Sequence, residues 1–221
     1  MSNRRAPRYP KVVLVGGAPK SGKSTLARFL AARLDYDLVN TDDLAAAARA
    51  VASPSTHADL HSMTGYDYRE YYLARPPDAL WREALRMHRA LWPAVVAVAS
   101  ARATWARAAV IEGWAILPEL VFSSRLADTA ALWLVVEPGI FEERVQAVPE
   151  FFLGARDEPR LIASFGERSR IHNEYLRAIL QQQPNSVLGA AAGESLEQLC
   201  ARALRLLEAG AITSEMSESH P

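Results

Sequence analysis

Lys11-Val12-Val13-Leu14-Val15-Gly16-Gly17-Ala18-Pro19-Lys20-Ser21-Gly22-Lys23-Ser24-Thr25 is the stretch whose reading decides the fold. From Lys11 to Val15 it is a β-branched run with turn residues behind it, as expected for a strand covered on both faces in a parallel sheet. Gly16 to Gly22 supply a glycine-containing loop. From Ser24 to Leu34 the apolar positions Leu26, Phe29, Leu30 and Leu34 fall at helical spacing. Residues 17–24 satisfy G-x-x-x-x-G-K-[ST] after a strand and at the opening of a helix, the context that gives this Walker A pattern its meaning. The glycines let successive backbone N–H groups converge on one anion, and the helix start adds its positive dipole end. Lys23 is suited to neutralise β/γ-phosphate charge and the Ser24 hydroxyl to ligate magnesium. Gly17, Ala18, Pro19, Lys20, Ser21, Gly22, Lys23, Ser24 and Thr25 are therefore the expected nucleotide contacts. Lys20 either touches phosphate or is a solvated side chain.

Working outward, Asp37 to Asn40 reads as a second short strand ending at Thr41-Asp42-Asp43, polar residues suited to cap an Ala-rich helix from Leu44 to Ala52. Asp42 follows Lys23 by nineteen residues, at the carboxyl end of that strand. In a parallel sheet it faces the crevice that holds the phosphates. A carboxylate there can orient an acceptor hydroxyl and take its proton; helix capping is the alternative role, for which Asp43 is the better candidate. Ala108 to Ile111 is a third buried strand, ending at Glu112-Gly113. Glu112 occupies the Walker B position, where it either holds magnesium through a water, contacts substrate, or is a strand-terminal charge. Ala130 to Val136 is a fourth strand and Ser186 to Leu188 a weak fifth. Alternating strands and helices imply an α/β fold with a five-stranded parallel sheet flanked by helices.

The remaining segments give the domain organisation. Residues 1–10 read as a flexible arm, 11–209 as one domain, and 210–221 as a flexible polar tail. Residues 53–77, with Tyr66, Tyr68, Tyr71 and Tyr72, have no sustained period and read as an insertion. Pro76-Pro77-Asp78 then start a helix, with Pro93 as a candidate kink. Pro149, Gly154 and Pro159 break residues 149–160 into a mobile lid, followed by a helix from about Leu161 to Gln182. Glu194 to Glu208 reads as a closing amphipathic helix.

Composition narrows the function classes. The chain has 221 residues, 50% hydrophobic and 23% charged, as in soluble globular domains. Twenty-five basic side chains balance twenty-five acidic ones, so no global field recruits nucleic acid or anionic membrane. Two of the three lysines, Lys20 and Lys23, lie in the glycine loop. The longest apolar stretch, Ala90 to Ala101, is shorter than the roughly 18 residues a membrane helix needs. A lone Cys200 forms no intramolecular disulfide and no signal pattern opens the sequence, so a reducing cytoplasm is expected. Cys and His lack metal-ligand spacing, leaving magnesium brought by ATP as the expected metal.

No N-K-x-D guanine-reading motif occurs, and the chain is too short for the extra helical lid of oligomeric motor ATPases. The sequence resembles the P-loop small-molecule kinases, the group that includes shikimate, gluconate, adenylate and 2-phosphoglycerate kinases and the zeta-toxin-like kinases. The resemblance rests on residues 16–25, on Asn-Thr-Asp-Asp-Leu at 40–44, Val-Ile-Glu-Gly at 110–113, Glu-Glu-Arg at 142–144 and Gly-Glu-Ser-Leu-Glu-Gln-Leu at 193–199. It implies the P-loop NTPase fold and transfer of the γ-phosphate of ATP to a hydroxyl of a small molecule, such as a metabolite, sugar-nucleotide or antibiotic. Asp42 would activate the acceptor, Arg144 would lie against adenine or phosphate, and Lys23 and a lid arginine would offset charge. Arg156 is taken as that arginine, with Arg144, Arg160, Arg168 and Arg170 as alternatives because Val148 stands where many relatives carry a second arginine. The loop from Gly189 to Glu194 would hold adenine.

Acceptor recognition would fall to residues 53–107, where His57, His61, Asp67, Tyr68, Arg69, Tyr71, Tyr72 and Arg75 suit hydroxyls or an acidic group; the tyrosines equally suit packing. Trp81, Trp92, Trp105 and Trp133 are expected in the core, His88 as a satisfied core histidine, and Trp114 nearest the crevice. An ATP-binding regulatory protein, whose occupancy controls a partner, is the rival function.

Overall fold

The computed structural model describes residues 9–137, 140–147, 152–190 and 193–218. Five strands, β1 (Val12–Gly17), β2 (Asp37–Asn40), β3 (Ala109–Gly113), β4 (Thr129–Val136) and β5 (Val187–Ala190), form one sheet in the order β2-β3-β1-β4-β5. Every neighbouring pair is parallel. The helices are α1 (Lys23–Leu34), α2 (Thr41–Val51), α3 (Ala58–His61), α4 (Tyr68–Ala74), α5 (Pro77–Thr104), α6 (Pro118–Ser123), α7 (Ile140–Gln146), α8 (Glu158–Leu180) and α9 (Leu196–Glu218). This is the α/β, P-loop NTPase architecture.

Because successive strand residues point to opposite faces, the apolar run of the central strand serves two cores. Val13 and Val15 pack with Leu26 and Leu30 of α1 and Leu207 of α9. Val12 and Leu14 pack with Leu91 and Val95 of α5 and Leu176 and Leu180 of α8. Full burial of each such side chain stabilises by roughly 1.5–3 kcal/mol, which explains why the least polar strand is the middle one. A third cluster joins Tyr71, Tyr72 and Leu73 of α4 to Val145 of α7 and to Phe152, Leu161 and Phe165 beside or on α8. Two tyrosines of the insertion are thus packing residues, while Tyr66 and Tyr68 stay exposed.

Several expectations are corrected by local physics. The insertion contains helices α3 and α4, whose short spans defeat a periodicity reading. Helix α2 begins at Thr41, and its cap is Asn40, whose side chain accepts from the Asp42 N–H, so Asp43 is a first-turn residue instead. Helix α5 continues through Pro93, with Leu91, Trp92, Val95 and Ala99 buried on either side of it. Pro159 sits in the first turn of α8, where its missing N–H has no intrahelical partner to lose, and does not break the helix. Helix α9 runs on to Glu218, through most of the expected tail. Residues 1–8 of the expected arm and 149–151 of the lid lie outside the described residues. Tyr9 and Pro10 do not behave as an arm: the Tyr9 hydroxyl donates to Glu208 at 2.5 Å and Pro10 is buried. Trp105 is 82% exposed, not core. Among the described residues no helix is long and apolar enough to cross a membrane.

Candidate active site

The carboxyl ends of β1, β2 and β3 bring the polar residues together. Gly22, at φ 97°, takes a left-handed conformation that suits glycine, and this turns the chain into α1 with Lys23 at its first position. Register pairs Val15 with Glu112 and Asn40 with Glu112, so the three strand ends meet at that carboxylate. Glu112 is only 2% exposed. It accepts from the Ser24 hydroxyl at 3.1 Å and from the Asn40 side-chain amide at 2.8 Å. The oxygen of the same Asn40 side chain accepts from the Asp42 N–H at 2.6 Å. Burial pushes the Glu112 carboxyl up, and the Lys23 charge and the Ser24 hydrogen bond pull it back. Burial likewise lowers Lys23, against the opposing charges of Glu112 and Asp42. Lysine and both carboxylates therefore share one electrostatic site.

A hydroxyl and a carboxylate side by side are hard oxygen donors, and Ser24 and Glu112 fit a magnesium ion on that ground. Among the described residues no group of three or more His, Cys, Asp or Glu could hold a metal, so a cation here would need oxygens from its ligand.

Asp42 is exposed to the crevice, and the Trp114 indole N–H donates to its Oδ1 at 2.8 Å. Trp114 follows β3 directly, as its predicted proximity to the crevice requires. The first turn of α2 rests against the end of β3 so closely that a methyl group at Gly113 would lie 1.7 Å from Thr41 Oγ1. On the other side of Lys23, a cleft of about 690 Å³ is lined by Pro19 to Thr25, Leu134, Arg144, Glu194 and Leu196. Arg144 Nη1 donates to the backbone carbonyls of Lys20, at 3.3 Å, and of Ser21. Of the expected adenine loop, residues 191 and 192 lie outside the described residues.

The arginines separate by environment. Arg156 is exposed and pairs with Glu70 of α4 at 3.2 Å. Arg160 donates to the Leu73 carbonyl, and Arg170 pairs with Glu167 and Glu174 on its own helix. Arg168 is 3% exposed, with its guanidinium 4.6 Å from the Trp114 ring centre and 5.2 Å from that of Tyr72. Its Nε and Nη1 have no hydrogen-bond partner among the described residues. His88 is fully buried as expected, but it is not satisfied. Both ring nitrogens of His88 and of His172 lack partners among the described residues. The His88 ring lies 4.2 Å edge-on from Trp114, and His172 stacks on Trp81 at 4.4 Å. Sequence reasoning missed His172 and the bridging role of Asn40; the spacing of Arg168 and His172, one turn apart on an otherwise core-facing helix, was the signal for the first.

The buried histidines predict an acid-sensitive fold. Burial, reinforced by the charges of Arg168 and Lys23, pushes His88 down to about 3 from an ordinary 6.5, and His172 is lowered too, first by burial and then by His88 and Arg168. The unfolded chain therefore binds more protons than the folded one as pH falls from 6.5 towards 3, and stability declines across that window. Urea unfolding at stepped pH should show this slope, and His88→Phe should flatten it; an equal slope in both proteins would assign it to other groups.

Comparisons with known proteins bear on the family and the fold. Residues 12–147 match the family model described as AAA domain. A gluconokinase from Sinorhizobium meliloti 1021 aligns over 97% of this chain and 100% of its own, with a TM-score of 0.53 and 14% identity, a likeness that shows the fold. Shikimate kinases from Aquifex aeolicus vf5 and Bacteroides thetaiotaomicron align over 91% and 90% of this chain and 98% of theirs, at 13% and 17% identity and TM-scores of 0.47 and 0.49. The comparison with curated proteins finds no match.

Proposed function

The chain belongs to the AAA domain family, and from that premise we propose that it is an ATP-dependent kinase that phosphorylates a hydroxyl of a small molecule. The observation that carries this reading is the convergence of Lys23, Glu112 and Asp42 on one crevice, each at or just beyond a different parallel strand, with their charges acting on one another. The backbone N–H groups between Gly17 and Thr25, Pro19 having none, bind the phosphates of ATP, and Lys23 offsets negative charge on the β- and γ-phosphates. Ser24 and Glu112 would hold magnesium, which adds further charge neutralisation when bound. Arg144, on the rim of the same cleft, faces the nucleotide.

Asp42 receives the proton of the acceptor hydroxyl as its oxygen bonds to the γ-phosphorus and the bond from that phosphorus to the bridging oxygen breaks, releasing ADP. The Trp114 hydrogen bond fixes which carboxylate oxygen is free for this task. Arg156 exchanges Glu70 for the transferring phosphoryl group when the lid closes. Its present pair is solvent-exposed, and such pairs contribute about 0–1 kcal/mol, so the exchange is inexpensive.

The test is transfer of γ-labelled phosphate from ATP to pooled hydroxyl compounds, with mass detection of the product. Wild-type protein should label an acceptor, and Lys23→Ala should reduce labelling by roughly 10³-fold, the scale on which charge-stabilising groups act in phosphoryl transfer. Tight ATP binding with no labelled product from any pool would instead support the regulatory function.

A further inference from the structure

Helix α7 is pinned near both ends of its short span: Phe141 belongs to the core that holds Leu26 and Val136, and Val145 to the cluster that holds Phe152, Leu161 and Phe165. Arg144, between them, reaches back to the phosphate loop. Its Nη1 donates to the carbonyls of Lys20 and Ser21, whereas Arg156 and Arg170 are paired with glutamates. The approach is close: a methyl group on Gly22 would stand 3.4 Å from that nitrogen. The loop needs such a hold. Lys20 has φ 63°, in the left-handed region that a non-glycine residue keeps only where its surroundings over-determine it. Ser21 is fully buried beside it, and its hydroxyl has no partner among the described residues, so that side chain adds no hydrogen bond to the hold.

Peptide geometry turns this grip into an effect on the ligand. Across a planar trans peptide the carbonyl of one residue and the N–H of the next point in opposite directions, so fixing one fixes the other. In the Lys20–Ser21 peptide both are held: Arg144 takes the carbonyl and the N–H donates to the Ala18 carbonyl at 3.1 Å. In the Ser21–Gly22 peptide Arg144 takes the carbonyl, which directs the Gly22 N–H away from the guanidinium. A cation on the carbonyl also polarises the peptide and makes its N–H a stronger donor. We infer that Arg144 is a positioning residue, which acts on the phosphates of the nucleotide through the Ser21–Gly22 peptide, by aiming and polarising the Gly22 N–H, and not by contact with the base. Because Val145 ties the same helix to Phe152 and Phe165, a displacement of that cluster reaches the phosphate loop through one side chain. This role rests on the nucleotide site proposed above and holds whichever molecule accepts the phosphate.

The experiment takes the full chain and two probes, ADP and inorganic tripolyphosphate, which has the phosphates but no base, and measures their affinities by titration calorimetry. Arg144→Ala should weaken both by the same factor, roughly tenfold or more, the scale of a hydrogen bond to a charged group. A second readout needs no ligand. Ser21-Gly22 is the only Ser-Gly pair in the chain, so isotopic labels on serine carbonyls and glycine nitrogens mark that peptide alone in an NMR spectrum. Its carbonyl and amide signals should move upfield in ligand-free Arg144→Ala. Arg144→Lys keeps the charge on a shorter, more strongly hydrated group and should restore neither reading in full; it also carries the test if the alanine variant does not fold. Lost ADP affinity with unchanged tripolyphosphate affinity would make Arg144 a base contact and overturn the proposal. Equal losses with an unmoved Ser21–Gly22 signal would make it a direct phosphate contact, and a lysine variant indistinguishable from wild type would show that charge alone suffices; either result overturns it too. Wild-type protein that binds neither probe sinks the nucleotide site itself, whereas the other adverse outcomes leave that site standing.

Discussion

Asp42→Asn should cut the rate of phosphoryl transfer by roughly 10²–10⁴-fold, the contribution typical of a positioned general base, while ADP binds as before. The substitution isolates the proton-accepting role because little else changes. The amide oxygen still accepts from the Trp114 indole, and the Asn40 side chain still caps the same backbone N–H of α2. What disappears is the charged oxygen that takes the acceptor's proton. Single-turnover transfer from labelled ATP separates this loss from slow product release. If turnover in the presence of an accepted substrate is unchanged, Asp42 is a helix-terminal charge and the proton goes elsewhere.

Gly113→Ala should have the largest effect on the fold. Its new methyl would stand 1.7 Å from Thr41 Oγ1, 2.7 Å from Thr41 Cβ and 2.9 Å from Cγ2, and Thr41 is fully buried, with no flexible end to move aside. Either α2 shifts off the end of β3 or the strand end distorts. Overpacking of this kind costs about 1–3 kcal/mol or more. For a domain of this size, each kilocalorie corresponds to roughly 2–4 °C in melting temperature, so a fall of about 6–12 °C is expected for a 3 kcal/mol loss. Because the displaced turn carries Asp42, transfer should fall even in the molecules that remain folded. A variant with wild-type melting temperature and activity would mean that the contact relaxes without consequence.

The phosphate loop and the sheet were readable because their signals are local. An apolar run followed by Gly17 to Ser24 specifies strand, turn and helix within fourteen residues of chain, and Asp42 and Glu112 announce themselves as carboxylates at strand ends. What stayed hidden depends on contacts between distant segments. Asn40 looks like the last residue of a strand until Glu112 is seen beside it. His88 reads as one more member of an apolar helix face, and only the approach of α8 shows that its nitrogens meet no partner. Arg168 and Arg156 are indistinguishable in composition and neighbourhood; burial against Trp114 and pairing with Glu70 separate them. The closing helix runs past its expected end, to Glu218, although Gly210, Thr213, Ser214 and Ser217 are weak helix formers.

The planar amide of Asn40 grips the Glu112 carboxylate with its nitrogen and the Asp42 backbone N–H with its oxygen. Such a plate does not bend, so any tilt imposed at one edge is handed to the other. On the kinase reading, filling the triphosphate pocket and aiming the proton acceptor would be geared together, so that loading the first substrate would arm the molecule for the second.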